Sequence, residues 1–544
     1  MPAIDLAVLV PFVLPAQLAP LSIGPASADP LPRYLTPAEA ALVAENPIRA
    51  EGLRGAAIPQ GPVHCVAEYE PMEGILMAYE GSSGWLTILR TMASHITTSG
   101  DANVYVICDT PSEANTVQSA MAASGADPAR VFTFVRTTDS IWIRDYGPRY
   151  IYEGGVRAIV DHTYNRPRPN DNLLPDFWSQ TRGETQYQIP LVHGGGNYHL
   201  SALGDSYSTR LIANENPGLT DAQIVGLWRD YQNLETSLVT PFPSSVDSTQ
   251  HIDMWMQVIG DRAVVIGDYP LAPGSAHDQA ADAQAAAMQA AGYTVTRVNN
   301  IGNPGATHYT FTNVVMCNDI VLLPEYDNIP ATYSQQALAA WQVALPGKQI
   351  IQVDCDAIVT AAGVMHCIVM HVPANSGGVD PVAWVSAPNI FDSYDPGQQV
   401  EVTWRSDDDG AFFGEGVESV DLLLSTDGGA TFQPQLTGLP DTGSALWTVP
   451  NTATTEGVLR VLVRDADGNT GSDDTDELFV INGDPACNPA DIASPFGVLD
   501  LADVQAFIAA FTTADLLADL APPLGVLDLA DVQLFVASFT AGCP

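Results

Sequence analysis

Four short segments between Trp142 and Cys367 carry side chains that together suit one reaction. They read WIRDYGP, HID, TFTN and GVMHC, and their reactive groups are Asp145, His251, Asp253, Asn313 and Cys367. A thiolate is a strong nucleophile, and an imidazole can donate a proton and later accept one. Two carboxylates can fix a planar guanidinium through paired, charge-assisted hydrogen bonds. The set therefore indicates nucleophilic attack on a guanidinium carbon.

Each segment also has a simpler explanation. A lone Cys in an apolar run is usually a buried core thiol, and an HxD triplet can be a metal pair or a surface turn. The Gly147-Pro148 pair is strong turn chemistry, and the GGN run at residues 195–197 can be a tight turn that needs positive φ. The joint occurrence of all these segments in one order favours the catalytic interpretation.

This arrangement resembles the guanidine-modifying deiminases. Within that superfamily it is most similar to the bacterial, Porphyromonas-type peptidylarginine deiminase and agmatine deiminase branch. The GGN run and the segment AEYE at residues 67–70 also match that branch, and the resemblance covers about residues 62–374. It implies a hydrolase that acts on C–N bonds of linear amidines. It also implies an α/β catalytic domain built as a five-bladed α/β propeller with the site at its centre.

The resemblance assigns a role to each reactive residue. Cys367 would attack the guanidinium carbon to form a covalent thiouronium intermediate, and His251 would act as the general acid and then as the base. Asp145 and Asp253 would clamp the guanidinium nitrogens, and Asn313 would position the substrate and the catalytic groups.

Substrate binding is predicted at four further residues. The resemblance places Trp142 as an apolar wall against the arginine side chain and Asn197 in the glycine-rich turn. It also makes Arg166 and Arg168 counterparts of two arginines that hold the C-terminal carboxylate of a peptide. Agmatine has no carboxylate, so this pair favours arginine at a peptide C-terminus. His193 stands where the agmatine branch usually has Glu, which also weakens the agmatine interpretation.

The leading hypothesis is therefore an exported hydrolase that converts arginine, at peptide C-termini, to citrulline with release of ammonia. An agmatine or free-arginine deiminase remains open, and an amidinotransferase would use the same intermediate. The alternative from another class is a secreted binding or scaffold protein with an inactive catalytic domain. The expected partners are arginine-containing peptides or a small guanidino substrate. We expect no cofactor and no metal in the site, because the thiol and the imidazole suffice.

Composition narrows the classes of partner. The chain has 544 residues, which predicts two or three domains, and 63 acidic residues against 20 basic ones give a net charge of −43. Such a surface repels nucleic acid and anionic membranes, so we expect neither as a partner. It would favour cationic substrates, although adaptation to salt or genome composition explains the charge equally well.

The N-terminus has features of an export signal. An apolar stretch runs from Leu6 to Leu21, and ASA at residues 26–28 matches a signal-peptidase site, which predicts a signal peptide at 1–28. No Lys or Arg precedes Arg33, so the usual positive region is missing. We predict a secreted, periplasmic or cell-surface protein.

Three regions follow the signal peptide. Alternating apolar runs and Ala-rich stretches predict an α/β catalytic domain at 29–374, and short alternating strands predict an Ig-like sandwich at 381–482. Residues 487–544 repeat with a period of 28 and resemble a helical dockerin-like module, with a docking partner or a surface-attachment role. Cys487 and Cys543 could close it, and its few acidic residues argue against calcium binding.

Overall fold

A computed structural model describes residues 30–50, 57–410, 416–483, 487–493 and 496–543. The predicted signal peptide lies outside these residues. None of the described helices is long and apolar enough to cross a membrane. The α-helices are α1 (Pro37–Glu45), α2 (Ser83–Thr98), α3 (Pro111–Ala123), α4 (Ile143–Tyr146), α5 (Pro169–Asn172), α6 (Leu174–Arg182), α7 (Leu211–Glu215), α8 (Asp221–Gln232), α9 (Ala276–Ala290), α10 (Thr332–Ala344), α11 (Leu501–Thr513) and α12 (Leu529–Ala541).

The α/β region consists of five small sheets within the described residues. Their strands are β1 (Val63–Cys65), β2 (Met72–Ala78), β3 (Asn103–Cys108), β4 (Val131–Val135), β5 (Arg149–Glu153), β6 (Val156–Tyr164), β7 (Thr185–His193), β8 (His199–Leu200), β9 (Asp205–Thr209), β10 (Glu235–Val239), β11 (Met256–Gly260), β12 (Ala263–Asp268), β13 (Thr294–Asn299), β14 (Val315–Cys317), β15 (Ile320–Glu325), β16 (Gln349–Asp354) and β17 (Met370–Pro373). The predicted α/β fold class is confirmed.

The five sheets repeat one pattern. An antiparallel pair leads into a parallel partner that is reached through a helix, as in β11-β12-β13 and β14-β15-β16. The other three sheets are β1-β5-β6-β7, β10-β9-β8 and β17-β2-β3-β4. Parallel neighbours need such crossovers, and both faces of their strands are then covered. This requirement explains the continuous apolar runs, such as VYVIC in β3.

The crossover helices bury one apolar face each. In α2 the buried residues Trp85, Ile88, Leu89, Met92 and Ile96 follow the three- and four-residue spacing of a helix that packs on one side. Ser82 caps this helix by accepting a hydrogen bond from the backbone N–H of Trp85. The buried residues of α2 pack into the main hydrophobic core of the α/β region.

The two ends of the α/β region meet in one sheet. Strand β17 is the last strand of the region and β2 is one of the first. The two strands pair antiparallel, with Met370 opposite Leu76. This pairing joins the segment that carries Cys367 to the first strands of the domain. The position of Cys367 is therefore fixed by strands from both ends of the region.

An all-β region follows. Its strands are β18 (Val382–Ala387), β19 (Ser393–Tyr394), β20 (Gln399–Asp407), β21 (Ser419–Ser425), β22 (Gln433–Leu439), β23 (Ser444–Thr448), β24 (Thr454–Arg464), β25 (Thr470–Asp474) and β26 (Phe479–Ile481). They form two sheets around a core that includes Trp404 and Trp447. Asp407 accepts a hydrogen bond of 2.7 Å from Arg157 Nε of the catalytic region. The Ig-like assignment within this all-β region stays a prediction.

The C-terminal repeat folds as two equivalent helices, α11 and α12. Asp500 and Asp528 cap them, and Phe507 stacks on Phe535 with ring centroids 4.1 Å apart. A disulfide links Cys487 to Cys543 and ties the ends of the module together. The dockerin-like assignment and the absence of bound calcium stay predictions.

Candidate active site

The structure brings the residues of the four segments together. Each segment lies immediately before a strand, and the four strands belong to four different sheets. Asp145 is in α4 before β5, His251 and Asp253 are at a 3₁₀ turn before β11, and Asn313 precedes β14. Cys367 is in the 3₁₀ turn His366–Ile368 before β17. Segments next to four sheets therefore deliver the five reactive groups to a common point.

An arginine of the same chain occupies the centre of this group. Arg33, from the N-terminal segment, is fully buried, and its guanidinium lies between both carboxylates. Its Nε and Nη2 donate to Asp145 Oδ2 and Oδ1 at 2.8 Å each. Its Nη1 and Nη2 donate to Asp253 Oδ1 and Oδ2 at 3.1 and 3.0 Å. The two carboxylates thus hold the guanidinium by two bidentate pairs.

The guanidinium of Arg33 and the two carboxylates stabilise each other's charged forms. Burial by itself would raise the pKa of Asp145 and Asp253, but the guanidinium of Arg33 outweighs it and holds both pKa values well below their usual range. Burial opposes the charge of Arg33, yet the two carboxylates raise its pKa well above the ordinary value. The site therefore binds a guanidinium in its cationic form.

The predicted nucleophile, Cys367, and the predicted acid, His251, flank the same guanidinium. Arg33 Nη1 donates to Cys367 Sγ at 2.7 Å, and Arg33 Nη2 lies 2.8 Å from His251 Nδ1. The sulfur thus lies beside Nη1 of the guanidinium, and the imidazole lies beside Nη2. Burial raises the pKa of the Cys367 thiol, and the positive charge of Arg33 opposes that rise. A bound guanidinium therefore favours the thiolate that would attack it.

Glycine makes room for the guanidinium. A Cβ on Gly196 would stand 2.0 Å from Arg33 Nη2 and 2.8 Å from Asp145 Oδ1. A Cβ on Gly195 would stand 2.4 Å from the carbonyl oxygen of Arg144. Neither of these two glycines has positive φ. The run forms a turn, closed by a hydrogen bond from the N–H of Asn197 to the carbonyl of Gly194, but its glycines are needed for close approach and not for positive φ.

Asn313 ties two of the catalytic segments together. Its Nδ2 donates to Cys367 Sγ at 3.2 Å and to the carbonyl oxygen of Asp253 at 3.2 Å. Its Oδ1 accepts from the backbone N–H of His366 at 3.2 Å. These bonds fix the position of the sulfur relative to the guanidinium.

A buried chain of polar groups behind Asp253 was not predicted from the sequence. His366 Nδ1 lies 3.0 Å from Asp253 Oδ2, and His366 Nε2 lies 3.0 Å from Glu68 Oε1. Glu68 accepts from Arg144 Nη1 at 2.8 Å, which with His366 holds its pKa well below the usual range although burial acts to raise it. His366 and Glu68 lie in the GVMHC and AEYE segments, but their spacing alone does not indicate that they touch.

The backbone around Arg33 is also recognised. Trp142 Nε1 donates to the carbonyl oxygen of Leu31 at 2.8 Å, and the N–H of Arg33 donates to the carbonyl of Ala361 at 3.0 Å. Arg166 Nε donates to the carbonyl oxygen of Arg33 itself at 3.1 Å. These are contacts to a peptide, and a substrate without an α-carbonyl would not make the last of them.

Arg168 holds a carboxylate. Its Nε and Nη2 donate to Glu39 Oε1 and Oε2 at 2.7 and 3.3 Å, and Nη2 also donates to the carbonyl oxygen of Pro32 at 2.7 Å. Burial acts against ionisation of Glu39, but Arg168 outweighs it and lowers the pKa of this carboxyl. Arg168 thus pairs with a side-chain carboxylate of the same chain, and its role toward the C-terminal carboxylate of a peptide stays a prediction.

Asn197 bonds to the backbone of two neighbouring segments, and its predicted role in substrate binding stays a prediction. Its Oδ1 accepts from the backbone N–H groups of Thr209 and Ile252 at 3.1 and 3.2 Å. Its Nδ2 donates to the carbonyl oxygen of Thr209. These bonds hold the turn that carries His251 and Asp253, so Asn197 positions the site in this structure through the backbone.

One cluster near the site has metal-binding residue types. Ligand atoms of Glu68, His199 and His366 lie within 4.8 Å of one another. Both ring nitrogens of His366 are at hydrogen-bond distance from carboxylate oxygens of Asp253 and Glu68, and Glu68 is also engaged by Arg144. Because these atoms already serve the polar chain, the cluster gives no reason to assign a metal.

Family comparison identifies the catalytic region. Residues 64–373 match the Porphyromonas-type peptidyl-arginine deiminase family, which is more than half of the chain. This chain belongs to that family. It is therefore a deiminase-type hydrolase that acts on guanidino C–N bonds, as predicted.

Individual relatives are more distant. A protein of Vibrio parahaemolyticus, provisionally named agmatine deiminase, is 26% identical over 274 residues, which span 43% of this chain and 75% of the relative. A similarly named protein of Shewanella frigidimarina is 26% identical over 289 residues, 45% of this chain and 77% of that relative. The agmatine deiminase of Enterococcus faecalis superposes with a TM-score of 0.52 at 19% identity and covers 60% of this chain and 99% of its own. This last likeness supports the shared fold.

Proposed function

We propose that this protein is a peptidylarginine deiminase that hydrolyses the guanidinium of arginine in a peptide to the urea of citrulline, with release of ammonia. One observation carries the proposal. The site holds the guanidinium of Arg33, while Trp142 binds the carbonyl oxygen of Leu31 and Arg166 binds the carbonyl oxygen of Arg33 itself. The bound arginine is thus in the context of a polypeptide, and the recognition extends to its backbone.

The mechanism follows from the neighbours of the guanidinium. Cys367 Sγ attacks the guanidinium carbon while the carboxylates keep it planar and charged until bond formation. The C–N bond to Nη2 then breaks, and His251 protonates the departing ammonia. A water deprotonated by His251 attacks the thiouronium carbon, the C–S bond breaks, and the thiolate of Cys367 is restored.

Peptides that end in arginine would use Arg166 and Arg168 most fully. Arg166 contacts the carbonyl oxygen of the bound arginine, where a C-terminal residue would place its carboxylate. Arg168 binds the Glu39 carboxylate in this structure and would be free for a substrate when that segment leaves. A carboxylate bound by two arginines is a strong, oriented pair. We therefore expect C-terminal arginine to be preferred over internal arginine.

An agmatine deiminase is the second candidate, because the relatives from Vibrio parahaemolyticus and Shewanella frigidimarina are named as agmatine deiminases. Agmatine would fill the guanidinium site and leave Arg166 Nε without the carbonyl oxygen that Arg33 supplies in this structure, while Arg166 Nη1 would keep the carbonyl oxygen of Asn165. The buried guanidinium of Arg166 then loses one hydrogen bond, which reduces binding. A peptide substrate explains the contacts of Trp142 and Arg166 to backbone carbonyl oxygens, which agmatine does not.

We also propose that the five sheets are the blades of a propeller. Two observations support it: all five sheets share the antiparallel-then-parallel pattern, and β17 pairs with β2 to join the ends of the region. A ring of repeated units would bring the segment before each first strand to a central axis. This arrangement explains why five separate sheets serve one site.

Mass spectrometry of a C-terminal arginine peptide tests the proposed activity. We expect the wild-type protein to exchange one guanidinium NH for oxygen and to release ammonia, and Cys367→Ala to lose at least about a thousand-fold of the rate. Cys317→Ala is the matched control, because Cys317 is a buried thiol in β14 without a role in the site. Equal rates for wild type and Cys367→Ala would overturn the mechanism.

A further inference from the structure

The N-terminal segment is attached to the site by charge. Among its described residues 30–50, only Arg33 and Glu39 are buried. Both are charged, and both contact the residues that a substrate would use. No residue of the described segment belongs to a hydrophobic core of the catalytic region. The segment is therefore docked like a ligand rather than packed like a core element.

The surroundings of the segment agree with this description. A cavity of about 530 Å³ lies between it and the body of the protein, lined by Tyr34, Val43, Ile48 and residues around Leu211. The segment therefore lies over the body of the protein without filling this space. It is attached by the ion pairs of Arg33 and Glu39, together with hydrogen bonds to its backbone.

We propose that Arg33 is a self-modification site: Cys367 of the same chain deiminates it, and the reaction releases the segment that blocks the active site. The inference rests on the proposed function. It adds Arg33 of the same chain as a substrate. It also adds a state of the protein in which Arg33 fills the active site and keeps other substrates out.

The reaction balances with water alone. Cys367 Sγ forms a bond to the guanidinium carbon of Arg33, the bond to Nη2 breaks, and ammonia leaves with a proton from His251. Water then adds to the same carbon and the C–S bond breaks. The arginine cation and one water become neutral citrulline and ammonium, without any oxidation or reduction. The contacts at 2.7 Å to Cys367 and 2.8 Å to His251 place the two side chains that these steps need beside the guanidinium.

Loss of the charge would weaken the docking. Arginine pairs with Asp145 and Asp253, both fully buried, whereas the urea of citrulline is neutral. The two carboxylates would then lie buried without a cation, which is costly in a site of low dielectric. The citrulline form of the segment is therefore expected to leave, and Arg168 would be released from Glu39 at the same time.

Peptide mapping tests the proposal directly. The purified full-length chain is cleaved at acidic residues, and the fragment that contains Arg33 is examined for the mass change of an NH-to-O exchange. We expect that change at Arg33 in the wild type and its absence in Cys367→Ala. Arg49 is the internal control, because it is exposed in the same segment and should remain arginine.

A mixing experiment separates reaction within one chain from reaction between chains. Cys367→Ala is incubated with the wild type over a range of concentrations. Since Arg33 of the inactive chain is buried in its own site, it should stay unmodified. Conversion of Arg33 in the inactive chain, at a rate that rises with wild-type concentration, would contradict modification in cis.

Activity on an added peptide distinguishes failure of this inference from failure of the proposed function. Arg33→Ala should hydrolyse a C-terminal arginine peptide at least as fast as the wild type, without a lag, because nothing blocks its site. If peptide is hydrolysed but Arg33 of the wild type stays arginine, self-modification is wrong and the proposed function survives. If neither Arg33→Ala nor wild type hydrolyses the peptide and Arg33 stays arginine, both fail.

Discussion

Gly196 lets a guanidinium enter between two carboxylates, and any side chain there would occupy the same space. A methyl group would stand 2.0 Å from Arg33 Nη2 and 2.7 Å from Asp253 Oδ2. We predict that Gly196→Ala raises KM for arginine peptides by at least about tenfold, the effect of roughly 1.4 kcal/mol of lost binding. Steady-state kinetics measure it.

Gly226→Ala is the matched control for this substitution. Gly226 lies inside α8, where a methyl group would point into open space, and it has no positive φ. Alanine favours a helix interior, so this variant should keep its KM and its fold. An unchanged KM in Gly196→Ala would show that the guanidinium does not bind where Arg33 lies.

The carboxyl group of Glu215 should make the free energy of unfolding of the protein depend on pH. Burial of its carboxyl group raises its pKa from 4.5 to about 7, and Oε2 is buried without a hydrogen-bond partner. Because the folded pKa is higher than the unfolded one, stability is full below pH 4.5 and is lost as pH rises through about 7. The residue is partly exposed, so the loss is on the order of 2 kcal/mol.

Thermal unfolding of Glu215→Gln checks this expectation. Glutamine cannot ionise, so the variant should unfold at a higher temperature than the wild type at pH 8 and at a similar one at pH 4. A constant difference at both pH values would contradict the assignment.

The clustering of the reactive side chains was predictable from the sequence, because a thiol, an imidazole and two carboxylates in a fixed order point to one chemistry. The occupant of the site was not predictable. Arg33 stands in a loop with no partner nearby in sequence, and its contacts lie between 112 and 334 residues away. Long-range contacts of this kind come only from the fold.

At the scale of elements, helix α1 controls how firmly the segment is held. Glu39 completes its capping box with Thr36 and also binds Arg168. We predict that Glu39→Gln loosens the segment, because it removes the charge from the pair. The initial rate on an added C-terminal arginine peptide should rise several-fold, in line with the loss of about 1 kcal/mol of docking.

Glu45→Gln serves as the control for the helix. Glu45 is an exposed residue at the end of α1, far from the capping box. Its substitution removes the same charge from the same helix and should leave the initial rate unchanged. Equal effects of the two substitutions would mean that general charge, and not the Arg168 pair, sets the rate.

The strands of the catalytic region follow from the sequence more readily than their order. Apolar runs such as RAVVIG and DIVLLP predicted β12 and β15, and both are strands. The pairing of β17 with β2 joins residues almost three hundred positions apart, and local periodicity holds no information about such a partner.

At the scale of the whole molecule, the C-terminal module depends on its disulfide. Cys487 and Cys543 close a separation of 56 residues, which restricts the unfolded chain by roughly 4 kcal/mol. The core of this module is small, so this contribution is large relative to its total stability. We predict that Cys487→Ser with Cys543→Ser lowers its unfolding temperature and leaves activity on peptide unchanged.

Calorimetry with a parallel activity assay checks this prediction. The unfolding transition of the C-terminal module should shift, while that of the catalytic region should stay. A loss of peptide hydrolysis in the double variant would contradict the separation of the module from the site. The repeat predicted a helical module, and the structure has two equivalent helices there, whereas the module's boundaries and a docking partner stay predictions.

The most direct test of the account is the ratio of kcat/KM for a C-terminal arginine peptide to that for agmatine, measured in Arg33→Ala so that the site is open. A peptide with an amidated C-terminus isolates the contribution of the carboxylate. The account predicts that the arginine peptide exceeds agmatine by at least about thirtyfold, the effect of roughly 2 kcal/mol from its pairing with Arg166 and Arg168. Agmatine hydrolysed as efficiently as the peptide would contradict it.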